Sequence, residues 1–244
     1  MKDKYRTAVM RAVLVAASTY LACFQTALCA DIAQSSAPAT SSEHERGMLN
    51  PDRVSFYEVP LVCPAAPQIG CGSASKPLLL SLEHSGVVSE AWLNRAGTIL
   101  AVVWNEQSKA RERAKTLKAI LEQKEMTAKK LTGDAEKQAL KDFQSGNAWY
   151  RGAGVDRLSE EEAGIMAGRL IRKIRTVVTL TGPNSKAMQQ QFTEILTRRL
   201  TGGLPDRDST EKEILKICRQ YLNEQEVSQL QEALKGFRPN RDEP

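Results

Sequence analysis

Residues 56–104 read FYEVPLVCPAAPQIGCGSASKPLLLSLEHSGVVSEAWLNRAGTILAVVW. Nowhere else in the 244 residues do β-prone runs, glycines, prolines and two spaced cysteines come together. This stretch constrains the fold more than any other. Residues 54–62 carry Phe56, Val59, Leu61 and Val62, a strand-like run that Cys63-Pro64 ends, and Pro60 marks it as an edge strand or a strand terminus. Pro64, Pro67, Gly70 and Gly72 then call for a loop. Ser73 can cap a helix over residues 74–84, with Leu78, Leu79 and Leu82 on one side and Gly86 as its stop. Two further strand-like runs, 87–93 and 98–104, are joined by Asn94-Arg95-Ala96-Gly97, a hairpin connection.

The expected order is therefore strand, thiol loop, helix, strand, hairpin turn, strand. With Cys71 just before the helix, Gly86-Val87 closing it, and Val88-Ser89-Glu90-Ala91-Trp92-Leu93-Asn94 followed by Gly97-Thr98 and Val102-Val103, residues 56–104 resemble the heavy-metal-associated domain family. The resemblance implies a small ferredoxin-like module that carries copper or another soft metal. That family sets its thiols two residues apart in a Met-containing loop, whereas Cys63 and Cys71 are eight positions apart with no Met nearby.

The chemistry open to Cys63 and Cys71 is narrow. Thiolates suit copper, zinc or mercury ions, and two of them can hold a soft ion of low coordination number. Zinc would want two more ligands. His84, the only local imidazole, belongs at the far end of the expected helix and is not read as a ligand. In an oxidising compartment the same two cysteines form a disulfide instead, worth roughly 2–3 kcal/mol on the chain-entropy model. A soft-metal or redox-responsive pair, a structural disulfide and free thiols are all left open by the spacing.

The compartment is read from the N-terminus. Lys2, Lys4, Arg6 and Arg11 precede an apolar stretch over residues 12–27, and Ala27-Leu28-Cys29-Ala30 offers small residues for cleavage, so residues 1–30 read as a secretory signal peptide. The apolar run is broken by Ser18, Thr19, Gln25 and Thr26, too short for a stable membrane span. Residues 31–53 are rich in Ser, Ala and Thr and read as a flexible linker, with His44 a solvated side chain within it. Export to a periplasmic compartment follows. Net charge is +5, of which the first thirty residues supply +3, and the remaining +2 is too mild for a nucleic-acid-binding surface.

Residues 106–237 read as helical. A charged helix over 106–131 has a narrow stripe of Ala110, Ala114, Leu117 and Leu121, with basic residues around it as a solvated face. A short helix follows over 134–145, and Trp149-Tyr150 reads as a plug between sheet and helices, or a last strand. Ser159-Glu160-Glu161-Glu162 reads as a capping box that opens a helix to about residue 180, buried through Ala163, Met166, Ala167, Leu170, Ile174 and Val177. A turn at residues 181–184 and a helix over 185–200 complete a helical hairpin. A second hairpin has Thr210 with Glu213 and Asn223 with Glu226 as caps, and Cys218 falls in the apolar phase as an inert buried thiol. Residues 238–244 form a polar tail.

There is no phosphate loop, dinucleotide fingerprint or nucleophile elbow, and two histidines, one in the linker, make a His-dependent triad hard to build. The expectation is an α+β fold, a small ferredoxin-like sheet with a packed helix over 54–105 followed by the helical-hairpin region 106–237. The expected function is that of an exported, non-enzymatic envelope binding protein. Its partner would be another envelope protein or a second copy held through the helical region. The alternative is a structural or chaperone-like periplasmic protein stapled by Cys63 and Cys71.

Overall fold

The computed structural model describes residues 49–242 apart from 147, 204 and 205; the expected signal peptide, and the linker before residue 49, lie outside the described residues. In chain order come β1 (Val54–Glu58), β2 (Val62–Cys63), β3 (Ala66–Gly70), α1 (Gly72–Glu83), β4 (Val88–Asn94), β5 (Ile99–Trp104), α2 (Ala110–Gln123) and β6 (Lys129–Lys130). They are followed by α3 (Asp134–Gln144), β7 (Trp149–Arg151), α4 (Asp156–Arg175), α5 (Gly182–Leu200), α6 (Arg207–Cys218) and α7 (Glu224–Leu234). The fold is α+β: one antiparallel sheet in the order β6-β1-β5-β4-β7, a separate β2-β3 hairpin, and helices around both.

The sheet is built on the β4–β5 hairpin, within a residue of where the sequence puts it. Asn94 fixes the turn, its Oδ1 accepting the Thr98 and Ile99 backbone N–H groups at 2.9 Å each. Alternation then sorts side chains to two faces. Leu100, Val102 and Trp104 of β5, with Ala91 and Leu93 of β4, meet Leu78, Leu79 and Leu82 of α1 and Leu117 and Leu121 of α2. On the other face Phe56, Trp92, Ala101 and Val103 meet Ala139 and Phe143 of α3 and Trp149 of β7. Phe143 is the hub there, edge-to-face with Trp149 at 5.1 Å and with Phe56 and Trp92 at 5.9 Å. Trp149 thus plugs the seam and also opens the last strand of the sheet.

The sheet runs on past residue 105, through β6 and β7. Nothing in residues 106–131 is a helix breaker, yet α2 stops at Gln123. Glu125 takes a left-handed φ of 53°, and Lys129–Lys130 pair with Tyr57 and Glu58 at the edge of β1. Leu131 donates its N–H to the Phe56 carbonyl at 2.8 Å and packs on the aromatic cluster. Sheet pairing and burial there outweigh helix propensity.

The helices α4–α7 form a second core from Ala163, Met166, Leu170, Ile174, Phe192, Leu196, Ile217 and Leu230, among others. Four residues of the β2–β3 segment, Cys63, Ala65, Ala66 and Ile69, belong to this core and not to the sheet's. The Asn223–Glu226 capping box is present at α7. The Ser159–Glu162 pattern is not a cap: α4 starts three residues earlier, at Asp156, and both side chains are buried within it. Thr210 likewise lies inside α6, which Asp206 caps through the Ser209 N–H at 2.6 Å. Among the described residues no helix is long and apolar enough to cross a membrane.

Candidate functional site

After β1 the chain runs along the β4–β5 turn, with Val59 N–H on the Thr98 carbonyl at 2.9 Å and Leu61 N–H on the Gly97 carbonyl at 3.0 Å. It then folds into β2–β3, where the sequence calls for a loop. Pro64 and Pro67 lie exposed, where a missing N–H is harmless. On the return, Gly70 donates to the Arg95 carbonyl at 2.6 Å and Cys71 to the Leu61 carbonyl at 2.7 Å. The approach is close enough that a Cβ on Gly97 would stand 2.3 Å from the Leu61 oxygen.

Both cysteines of this segment are free thiols. Cys63 is buried in the helical core, and burial, then the Glu162 carboxyl facing it, pushes its thiol up to about 12. Cys71 is half-buried at the N-terminus of α1, its Sγ 3.4 Å from the Ser73 hydroxyl, and its carbonyl accepts from the Ser75 N–H and hydroxyl at 3.0 and 2.6 Å. Cys71 is held across from Leu61, two residues before Cys63, and the β2–β3 register shifts between Val62 and Cys63. His84 is exposed at the opposite end of α1.

These donors do not make a closed metal centre. Among the described residues no three His, Cys, Asp or Glu side chains come close enough to hold an ion. Cys63 would have to lose a proton held well above neutrality, beside a carboxyl that itself favours that proton.

The carboxyl that faces Cys63 is on α4. Asp156, Ser159 and Glu162 each present a buried oxygen with no hydrogen-bond partner: Oδ1, Oγ and Oε2. Asp156 uses its other oxygen on Lys76 Nζ of α1, at 2.6 Å. Ser159 lies against Gly72, where a Cβ would come within 2.4 Å of its Oγ. Glu162 is only 4% exposed; burial holds its carboxyl above the usual range, offset in part by the hydrogen bond from the Cys63 thiol.

Glu162 also lines a cleft of about 670 Å³ bounded by α4, α5, α6, α7 and the chain after α7. Its walls include Met166, Leu170, Leu196, Ile214, Leu234 and Phe237, and its rim carries Arg199, Arg207, Lys235 and Arg238. Arg207 is paired with Glu211 at 2.6 Å and Lys235 with Glu232, whereas Arg199 and Arg238 have no ion-pair partner among the described residues. Arg169 of α4 holds the covering segment through the Pro239 carbonyl at 3.1 Å, and Lys173 Nζ lies 5.8 Å from the centre of the Phe237 ring.

Comparison of the chain with family models, curated proteins and solved structures gave no match. Of the residues marked in the sequence, Cys63 and Cys71 share the β2–β3 segment, and His84 lies apart from them. Glu162 was hidden by its capping-box pattern. The signal that exposes it is the row Leu158, Glu162, Met166, Leu170, Ile174, four residues apart, in which one carboxylate interrupts a buried apolar line.

Proposed function

We propose that the protein is an exported, non-enzymatic binding protein of the cell envelope, in which the β2–β3 hairpin is a redox-responsive joint between the sheet and the helical core. One observation carries this: two free thiols lie on the one segment that belongs to both parts, Cys63 buried in the helical core and Cys71 half-exposed at the start of α1. The strand–helix–strand–strand–helix–strand order of β1, α1, β4, β5, α2 and β6 supports the ferredoxin-like reading of this part, since that is the order of a split βαβ module.

The oxidant is a disulfide-bearing partner. Cys71, the more accessible thiol, attacks it as thiolate and releases one partner thiol; Cys63 then displaces the second. Two S–H bonds and the partner's S–S bond are consumed, and the Cys63–Cys71 bond and two partner thiols form. Oxidation holds the two Cα atoms at roughly 4.4–6.8 Å, the span of a disulfide. It also removes the thiol proton that Glu162 accepts.

Intact-mass analysis with alkylation tests this. Reduced chain from residue 31 onward takes three labels when unfolded, at Cys63, Cys71 and Cys218, and one when folded, at Cys71. Glutathione disulfide should remove two labels together, restored by reductant. A mixed disulfide at Cys71 alone sinks the joint. A bond already closed in freshly isolated protein marks a structural staple instead, and copper, zinc or mercury retained by wild type but lost in Cys63→Ser and Cys71→Ser would return the soft-metal reading.

A further inference from the structure

Closing the hairpin disulfide requires Cys63 to give up its proton while buried. With its thiol near 12, only about 10⁻⁵ of Cys63 is ionised at pH 7. Thiolate is the form that attacks a disulfide, so an unaided Cys63 would resolve a mixed disulfide slowly.

The groups around this sulfur are sorted by polarity. The backbone N–H groups of Ala65 and Ala66, in the β2–β3 turn, donate to it and favour the thiolate. On the α4 side its S–H donates to the Glu162 carboxyl. Glu162 is buried, and its Oε2 has no other hydrogen-bond partner. Cys71 lies within electrostatic reach of Cys63 from the start of α1, whereas His84 is at the far end of that helix. The remaining charged groups that border Glu162 do so across the cleft: Arg199 of α5, Arg207 and Glu211 of α6, and Lys235 and Arg238 after α7. Burial and the Cys63 hydrogen bond set the proton affinity of Glu162, and a carboxylate held above its usual range is a better base than an exposed one.

We propose that Glu162 is the general base of the joint, the residue that takes the Cys63 proton as the sulfur attacks, so that closure waits on the carboxyl being ionised. The proposal rests on the reading of β2–β3 as a redox joint. Once Cys71 is in a mixed disulfide with the partner, the Cys63 S–H bond breaks and its proton passes to the Glu162 carboxylate. The Cys63–Cys71 bond forms, and the partner's sulfur leaves Cys71 as thiolate. Both cysteine sulfurs are oxidised and the partner's disulfide is reduced. On reduction the same carboxyl, now protonated, returns the proton to the departing Cys63 sulfur.

Stopped-flow mixing of the reduced protein, from residue 31 onward, with excess dithionitrobenzoate tests this, because each step releases one coloured thiolate. Wild type should release two per chain, the second at a rate independent of reagent concentration, and end free of label. Glu162→Gln, of equal size but without a carboxylate, should leave the first release unchanged and slow the second about 10²–10⁴-fold. The pH response of the second release should change as well. In wild type it levels off once the carboxyl is ionised, whereas in Glu162→Gln it climbs about tenfold per pH unit, following the thiolate fraction. A second release at the wild-type rate in Glu162→Gln, the same pH response in both proteins, or equal slowing of both releases would overturn the assignment. A wild-type chain that stops after one release, labelled at Cys71, would overturn the joint itself and Glu162 with it.

Discussion

Gly97 gives the most direct measure of how tightly the thiol hairpin is seated. It has a left-handed φ of 72°, and a Cβ there would stand 2.3 Å from the Leu61 oxygen and 2.5 Å from the Gly70 Cα. Gly86 is its control, with φ 73° and nothing within 4 Å of an added Cβ. Alanine at either position pays about 1–2 kcal/mol for the left-handed backbone. About 0.4–1 kcal/mol returns because the unfolded chain loses freedom. Gly86→Ala should therefore cost about 0–1.5 kcal/mol. Gly97→Ala adds an overpacking cost of about 1–3 kcal/mol, because both nearest atoms are backbone and neither can rotate away. Its total is about 1–4.5 kcal/mol, a large share of a typical stability of about 5–15 kcal/mol. Urea unfolding of the two variants and the wild type, compared at equal m-value, reads the difference. If Gly97→Ala is no more destabilising than Gly86→Ala, the hairpin is not clamped across the β4–β5 turn.

Three further outcomes follow from the packing and the titrating groups. Phe143→Ala, which empties the centre of the aromatic cluster, should cost about 3–5 kcal/mol in urea melts and collapse the near-ultraviolet dichroism of Trp92 and Trp149. Cys63 and Cys218 both have thiols raised by burial from near 9 to about 12, so the folded state prefers the protonated form, and its advantage is complete below pH 9 and lost as pH rises toward 12. Relative to wild type, Cys218→Ala should flatten the fall in stability over that window, and an unchanged slope would reject burial as its cause. Asn223→Ala should cost about 1 kcal/mol by removing the α7 cap, read as a lower urea midpoint.

The comparison of two capping patterns shows where sequence reasoning holds and where it stops. Asn223-x-x-Glu226 and Ser159-x-x-Glu162 are the same local signal, yet only the first caps a helix. At α4 the preceding Val155 and Leu158 are fully buried, so the helix begins before the serine and turns both polar side chains inward. Burial supplied by distant residues settled that choice, and no local pattern records it. Lys129–Lys130 make the same point, since their pairing with β1 depends on residues seventy positions away. The β4–β5 hairpin was legible because alternation and the Asn94–Gly97 turn are both local. Cys63 and Cys71 were visible as a pair, but their setting was not: the carboxyl that faces Cys63 comes from a helix about a hundred residues later.

The two outer strands have a consequence for how copies of this chain meet. The sheet ends in β6, two residues long, on one side and β7, three residues long, on the other. Lys129, Lys130 and Arg151 sit exposed on those borders, and Arg151 is engaged by Glu83 and Glu90. Outer strands so short and charged are poor templates on which a neighbouring chain could add a strand. Crowded copies are thereby discouraged from stitching sheet to sheet through β6 or β7.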